Sequence, residues 1–389
     1  SLGGIMQRII LNETSYFGAG CRREAIHEFN RNKFKKVFLA TDASLIKCGV
    51  IKLLTDMLDE NNIKYTIFDE IVPNPTKENV WHGLKAFKKS KADVIFALGG
   101  GSVIDTAKAI GIVTNNPKFK DIVSLSGTAS TTNKSVPIFA FPTTSGTAAE
   151  VTINYVITDE DRGVKMVCVD PNDIPMVAFL DADLMATMPK SITASTGMDA
   201  LTHAIECLIT KGAWEMSDMF ALEAIKVISK YLKRAYDNGN DIEAREKMAY
   251  AQYVAGMGFS NVGLGIVHSM AHPLGGRFNI AHGTANAMLL PTVMKYNMES
   301  ASLPKYRLIA EAFGVNTSKL TDEQAGKKAV ACVEKLKQSL NIPKKLSELG
   351  IKEEDLDVLS LDAFNDVCTG GNPRETSVKD IRALYKKIL

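Results

Sequence analysis

Five short runs rich in β-branched and aromatic residues, at 36–41, 65–68, 94–98, 136–141 and 176–180, alternate with helical patterns between about residues 8 and 188. Several are apolar throughout, which suits strands covered on both faces. Parallel strands meet that condition, because each crossover lays a helix on the sheet. The expectation is an α/β unit over 6–188. Beyond Pro189 the pattern changes to long Ala-, Met- and Leu-rich stretches, such as 216–235 and 243–258, with apolar residues recurring at three and four. That spacing predicts an all-α unit over 189–389. Proline at the junction favours an extended residue before it and can open a new helix after it. The Lys-rich stretch 85–91 reads as the solvated end of a surface helix. Residues 1–5, ahead of Met6, read as an extraneous leader and are set aside.

Charge and cysteine usage exclude several functions. Lys plus Arg number 46 against 44 Asp plus Glu, a net of +2, so no broad basic field remains to hold a nucleic-acid backbone. No apolar stretch approaches the roughly 20 residues of a membrane-spanning helix. Six scattered cysteines form no C-x-x-C pair, and no apolar leader precedes a small-residue cleavage site. Reduced thiols and a cytoplasmic protein are expected.

The run at 94–98 leads straight into Gly99, Gly100, Gly101 and Ser102, followed by a helical pattern from Val103 to Val113. Glycines let backbone approach an anion closely, and the free N–H groups of a first helical turn point at it. Asp105 in that turn suits the helix dipole. This is a phosphate-binding pattern, although not the G-x-G-x-x-G of an ordinary dinucleotide fold. A second strand ends at Phe141 and meets Pro142, Thr143, Thr144, Ser145, Gly146 and Thr147, a hydroxyl-rich run where open α/β sheets bind ligands. Asp42, following another strand, can accept hydrogen bonds from ribose hydroxyls and would repel a 2′-phosphate, which favours NAD over NADP. As a residue it could equally be a helix N-cap.

Of six histidines, four (His203, His268, His272 and His282) fall between 203 and 282. Asp199 and His203 lie four apart on a helical pattern, so both face one side and can grip one ion. His268 and His272 repeat that spacing, and glycines surround the set. One Asp with three His supplies four ligands of a mixed kind that suits zinc or ferrous iron better than magnesium or calcium. A dinucleotide site in one half and a metal site in the other point to hydride transfer in the cleft between them, the metal acting as a Lewis acid on the substrate oxygen.

The chain resembles the iron-containing alcohol dehydrogenases over nearly its whole length from Met6. The most specific stretches are 10–14, 72–76, 169–175, 197–206, 256–265 and 367–375. The resemblance implies a dehydroquinate-synthase-like fold and a ferrous ion held by Asp199, His203, His268 and His282, with zinc a possible substitute. It implies NAD contacts from Asp42, Asn74, the loop from Gly99 through Gly100, Gly101 and Ser102 to Asp105, and Thr143, Thr144, Thr147, Val156 and Lys165, with 184–188 nearby. His272 becomes a proton-relay or orienting residue beside the nicotinamide. Asn154, Phe259 and Cys368 match positions that narrow the pocket to two- to four-carbon substrates. The implied reaction interconverts lactaldehyde and 1,2-propanediol; a broader primary-alcohol, 1,3-propanediol or butanol dehydrogenase is the alternative. A homodimer is implied, with the N-terminal strand pairing across the two-fold. Two other classes stay open: a metal- and NAD-using lyase, which would need a dense basic cluster where this chain has Arg277 and little else, and a silent NAD-binding sensor.

Overall fold

The computed structural model describes residues 6–389; the leader at 1–5 lies outside the described residues. Six strands form one parallel sheet: β1 (Thr14–Phe17), β2 (Lys36–Ala40), β3 (Lys64–Phe68), β4 (Val94–Gly99), β5 (Ile138–Pro142) and β8 (Val177–Leu180). Their order is β1-β8-β5-β4-β2-β3. The five apolar runs are all there. In all but the edge strand β3, the lack of alternation follows from a double burial: Phe38, Ala40, Ile95, Ala97, Ile138 and Ala140 pack under α4 (Lys77–Ser90) and α5 (Gly101–Asn115). The intervening Val37, Leu39, Phe96, Leu98, Phe139 and Phe179 pack on the opposite face, with α1 (Glu24–Arg31), α2 (Ala43–Lys47) and α3 (Lys52–Glu60). Lys91 closes the Lys-rich end of α4 in the left-handed region.

Three strands lie outside the five runs. β1 is a four-residue edge strand, too short and polar to stand out as a run, and the resemblance alone implied an N-terminal strand. β6 (Asn154–Asp159) and β7 (Val164–Val169) form an antiparallel hairpin outside the main sheet. They alternate buried and half-buried residues, so their signal is period two rather than apolar continuity.

Every described element from α6 (Lys190–Ile209) onward is helical: α7 (Glu215–Asp237), α8 (Ile242–Val262), α9 (Ile266–Phe278), α10 (His282–Asn297), α11 (Leu303–Ala312), α12 (Asp322–Ser339), α13 (Leu356–Phe364) and α14 (Val378–Lys387), with short 3₁₀ turns between some of them. Pro189 is the N-cap of α6. From 193 to 209 every α6 residue except Thr196 is buried, so α6 is the axis of the bundle. Polar residues on such a helix need partners inside the protein, and that requirement builds the site.

The chain runs from β2 outward to β3, then crosses back to place β4 on the other side of β2. This reversal opens a crevice at the carboxyl ends of β2 and β4. Asp42 follows β2 and the glycines follow β4. None of the described helices is long and apolar enough to cross a membrane.

Candidate active site

The cleft between the two halves, about 220 Å³, is lined on the α/β side by Asn74, Gly101, Ser102, Asp105, Thr147, Asn154, Val156 and Lys165. On the helical side it is lined by Asp199, His203, Phe259, Leu264, His268, His272, His282 and Cys368. Gly99, Gly100, Thr143, Thr144 and Asp42 stay outside this lining. They cluster at the same sheet edge: the Thr143 N–H donates to the Gly99 carbonyl at 3.0 Å, and a Cβ on Gly100 would stand 3.4 Å from Thr144 Oγ1. Asp42 caps α2, accepting from the Leu45 N–H at 3.1 Å, so the capping alternative holds. Met185 and Leu184 are fully buried behind the crevice.

α5 begins at Gly101, and its N-cap Gly100 offers no side-chain cap, so the first-turn N–H groups are free for an anion. A Cβ on Gly101 would come within 2.9 Å of Thr147, which shows how closely the two loops approach. Asp105 has a structural role, since its Oδ2 accepts from the Val156 N–H at 3.0 Å and ties α5 to β6. Burial lifts its pKa to about 6. Lys165 on β7 is largely desolvated, which lowers its pKa, and no carboxylate pairs with it among the described residues. It leaves a cation facing the cleft.

Four donors converge from three helices. Asp199 and His203 lie on α6, His268 in the first turn of α9, and His282 opens α10. Asp199 Oδ1 is 3.5 Å from His203 Nε2, 3.6 Å from His268 Nε2 and 3.3 Å from His282 Nε2. A tetrahedron with metal–ligand bonds near 2.1 Å has edges of about 3.4 Å, so the set already has the dimensions of an ion cage. The outer ring nitrogens are engaged elsewhere. His203 Nδ1 sits 3.1 Å from the Gly146 carbonyl, and His268 Nδ1 sits 2.6 Å from Glu206 Oε1. With those nitrogens donating, each Nε2 lone pair points inward. Burial pushes His203 down to about 3 and also lowers His282, so both are neutral ligands at pH 7. For His268 burial acts the same way, but hydrogen bonds to Asp199 and Glu206 outweigh it and raise the ring to about 9. A divalent cation would take the place of that proton. The Phe259 ring stacks on His203 at 4.1 Å, nearly parallel, and fixes its plane.

His272 stands apart from these four. Its Nδ1 lies 2.7 Å from Asp366 Oδ2, and Asp366 in turn accepts from the Cys368 N–H at 2.8 Å. Its remaining nitrogen, Nε2, is the one left for a substrate.

Three contributing residues escape the sequence reading. Glu206 shares the buried side of α6 with Asp199 and His203, seven and three residues on. It accepts from the Val267 and His268 N–H groups at 2.9 and 3.2 Å, capping α9 while orienting the His268 ring. Gly265 gives it room, since a Cβ there would fall 2.7 Å from Glu206 Oε2. Asn286 donates to Asp199 Oδ1 at 2.8 Å. Asp366 belongs to the C-terminal segment, 94 residues from His272. Helical spacing could have found Glu206; nothing local marks the other two.

An uncapped helix terminus and an Asp-His-His-His cluster lining one cleft form the kind of site a nucleotide- and metal-dependent oxidoreductase needs. The sequence matches the family described as iron-containing alcohol dehydrogenase over residues 12–182 and that family's C-terminal region over 193–389, and the chain belongs to this family. It is 51% identical over 378 residues to lactaldehyde reductase of Escherichia coli K12, covering 97% of this chain and 98% of that one. It is 40% identical to the NAD-dependent methanol dehydrogenase of Bacillus methanolicus, over 99% of this chain and 100% of that one. Among solved structures, 1,3-propanediol oxidoreductase superposes with a TM-score of 0.96 at 38% identity, covering 99% of this chain and 100% of that chain.

Proposed function

We propose that this chain is an NAD(H)-dependent, iron-dependent oxidoreductase that interconverts lactaldehyde and 1,2-propanediol, with a two-unit organisation divided at 188/189. The observation that carries the reading is the single cleft that holds both the free N-terminus of α5 and the four-donor cluster. The 51% identity to lactaldehyde reductase supports the substrate, and the alternative of a broader primary-alcohol, 1,3-propanediol or butanol dehydrogenase has the weaker likeness, 41% to 1,3-propanediol dehydrogenase of Klebsiella pneumoniae.

In this reading Asp199, His203, His268 and His282 hold ferrous iron, and the same donors would accept zinc. The ion and the nicotinamide supply Lewis acidity at the substrate oxygen and the hydride. The chain's own residues do the rest. The first turn of α5, with Ser102 and Thr147, binds phosphate, Asp42 takes the ribose hydroxyls, and Lys165 and Asn74 flank the nucleotide. Phe259, Cys368 and Asn154 wall a small pocket and keep water from the reacting carbon. His272 Nε2 hands a proton toward the nascent alcohol, while Asp366 on Nδ1 holds the ring in place. Reduction then consumes one hydride and one proton per aldehyde.

The lyase class lacks support, because Arg277 is engaged through its Nε to Asp362 Oδ2 at 2.5 Å, and Lys165 is the one Lys or Arg among the described residues that line the cleft. We also infer a cytoplasmic homodimer: β1 is an edge strand able to pair with its copy, and all six cysteines are unpaired. The test is an anaerobic NADH-oxidation assay with lactaldehyde, butanal and dihydroxyacetone on ferrous-loaded, zinc-loaded and chelated protein. The expected result is highest kcat/KM for lactaldehyde with iron. NADH binding without turnover of any aldehyde would overturn the dehydrogenase reading.

A further inference from the structure

His272, Asp366 and Cys368 form a second group of ligating side chains, separate from the four-donor cluster. A His272 ring nitrogen, an Asp366 carboxylate oxygen and Cys368 Sγ all lie within 4.8 Å of one another. A zinc-sized ion with Zn–N and Zn–O near 2.1 Å and Zn–S near 2.3 Å needs its ligand atoms about 3.4–3.7 Å apart, so the three are within about 1 Å of a coordinating arrangement. The segment that carries two of them is pinned: Thr369 Oγ1 donates to the Ala363 carbonyl at 2.6 Å and can accept from Ser269 Oγ on α9 at 2.7 Å. The donors are therefore held together by the fold rather than meeting by chance rotation.

We propose that these three residues form a second metal site, selective for a soft divalent ion such as zinc or cadmium, with its fourth position open to the cleft. The selectivity follows from the donors. A thiolate, an imidazole and a carboxylate match zinc and cadmium, while ferrous iron is better served by the thiol-free cluster next door. Binding releases the Cys368 thiol proton to solvent, and the His272 proton now directed at Asp366 moves to the other ring nitrogen. No oxidant or further reactant is involved. An ion here would separate His272 from Asp366 and occupy the wall of the small pocket. On the proposed dehydrogenase reading, it would then inhibit turnover in competition with aldehyde, not with NADH; the binding itself does not depend on that reading.

The experiment is an anaerobic titration of cadmium chloride into the iron-loaded protein, following the ultraviolet thiolate-to-cadmium charge-transfer band and, in parallel, iron released to a ferrous-specific chromophore. One equivalent should generate the band while iron stays bound. Cys368→Ser should abolish the band. Asp366→Asn, which can still accept from His272, should weaken cadmium binding at least tenfold. Absence of the band in the unaltered protein, the same band in Cys368→Ser, unchanged affinity in Asp366→Asn, or iron release matching cadmium uptake would each overturn the site. Because the band reads binding alone, a protein that binds cadmium as expected but, iron-loaded and before any cadmium is added, reduces no aldehyde would sink the dehydrogenase reading and leave the metal site standing.

Discussion

Replacing Glu206 by Gln separates two roles that the structure gives to one carboxylate. Glu206 is buried and serves three donors: Oε2 accepts from the Val267 N–H at 2.9 Å, and Oε1 accepts from the His268 N–H at 3.2 Å and from His268 Nδ1 at 2.6 Å. Glutamine has nearly the same shape but one acceptor. With its oxygen kept on His268, its NH₂ confronts the Val267 N–H, and one buried donor loses its partner. An unsatisfied buried group costs about 1–3 kcal/mol. The charge is also gone from the outer side of the His268 ring, and loss of such a partner typically weakens metal binding by about 10- to 100-fold. Ferrous or cobaltous affinity, read by chelator competition, should fall by that factor, and the thermal midpoint of the metal-stripped protein should fall with it. If stability drops but affinity stays within about threefold of the parent, Glu206 only caps α9 and the argument that it orients a ligand is wrong.

Gly283 follows His282 at the start of α10, and a Cβ there would stand 1.9 Å from the Ser195 carbonyl oxygen. Backbone must move, so Gly283→Ala should destabilise by about 1–3 kcal/mol or more and lower metal content; a folded variant with full metal content refutes this. Asp42→Asn keeps an oxygen to cap α2 while removing the charge that repels a 2′-phosphate. It should improve kcat/KM with NADPH about tenfold, the order expected for one partly screened charge pair, and an unchanged NADPH/NADH ratio speaks against Asp42 as the discriminating residue. Glu150 is buried, its Oε1 accepts from Gln252 and its Oε2 has no partner, and burial raises its pKa from the usual 4.5 to about 7. A raised carboxyl contributes stability that is complete below about pH 4.5 and is lost as pH rises to about 7. The full loss is about 3 kcal/mol. Glu150→Gln should therefore flatten the fall in thermal midpoint between pH 5 and 8, and an equal slope in parent and variant argues against it.

What could be read from the sequence was whatever one short window encodes. Four of the five strands announce themselves because a strand covered on both faces has no polar positions; the edge strand β3, with Lys64 and Ile67 exposed, is marked instead by its β-branched and aromatic residues. β6 and β7 do not, because their polar half faces the cleft or solvent, and Lys165 and Asn154 are cleft residues for that very reason. Asp199 and His203 were legible as one turn of helix. His282 needed only its place in a histidine-rich region, yet what brings it within 3.3 Å of Asp199 is the close approach of α10 to α6 that Gly283 permits.

The partners that tune the site had no such signal. Asp366 reaches His272 across 94 residues, and Asn286 reaches Asp199 across 87. Each is an ordinary polar residue in an ordinary helical or turn context, and only the packed bundle gives it a role. The same physics makes these partners indispensable. From Thr193 onward α6 is buried almost all round, so the carboxylates of that stretch, Asp199 and Glu206, must be matched by groups from other helices, and the matching groups are the ones that set ring orientation and ligand basicity. The residues least visible in the sequence therefore decide whether the four visible ones work as a set.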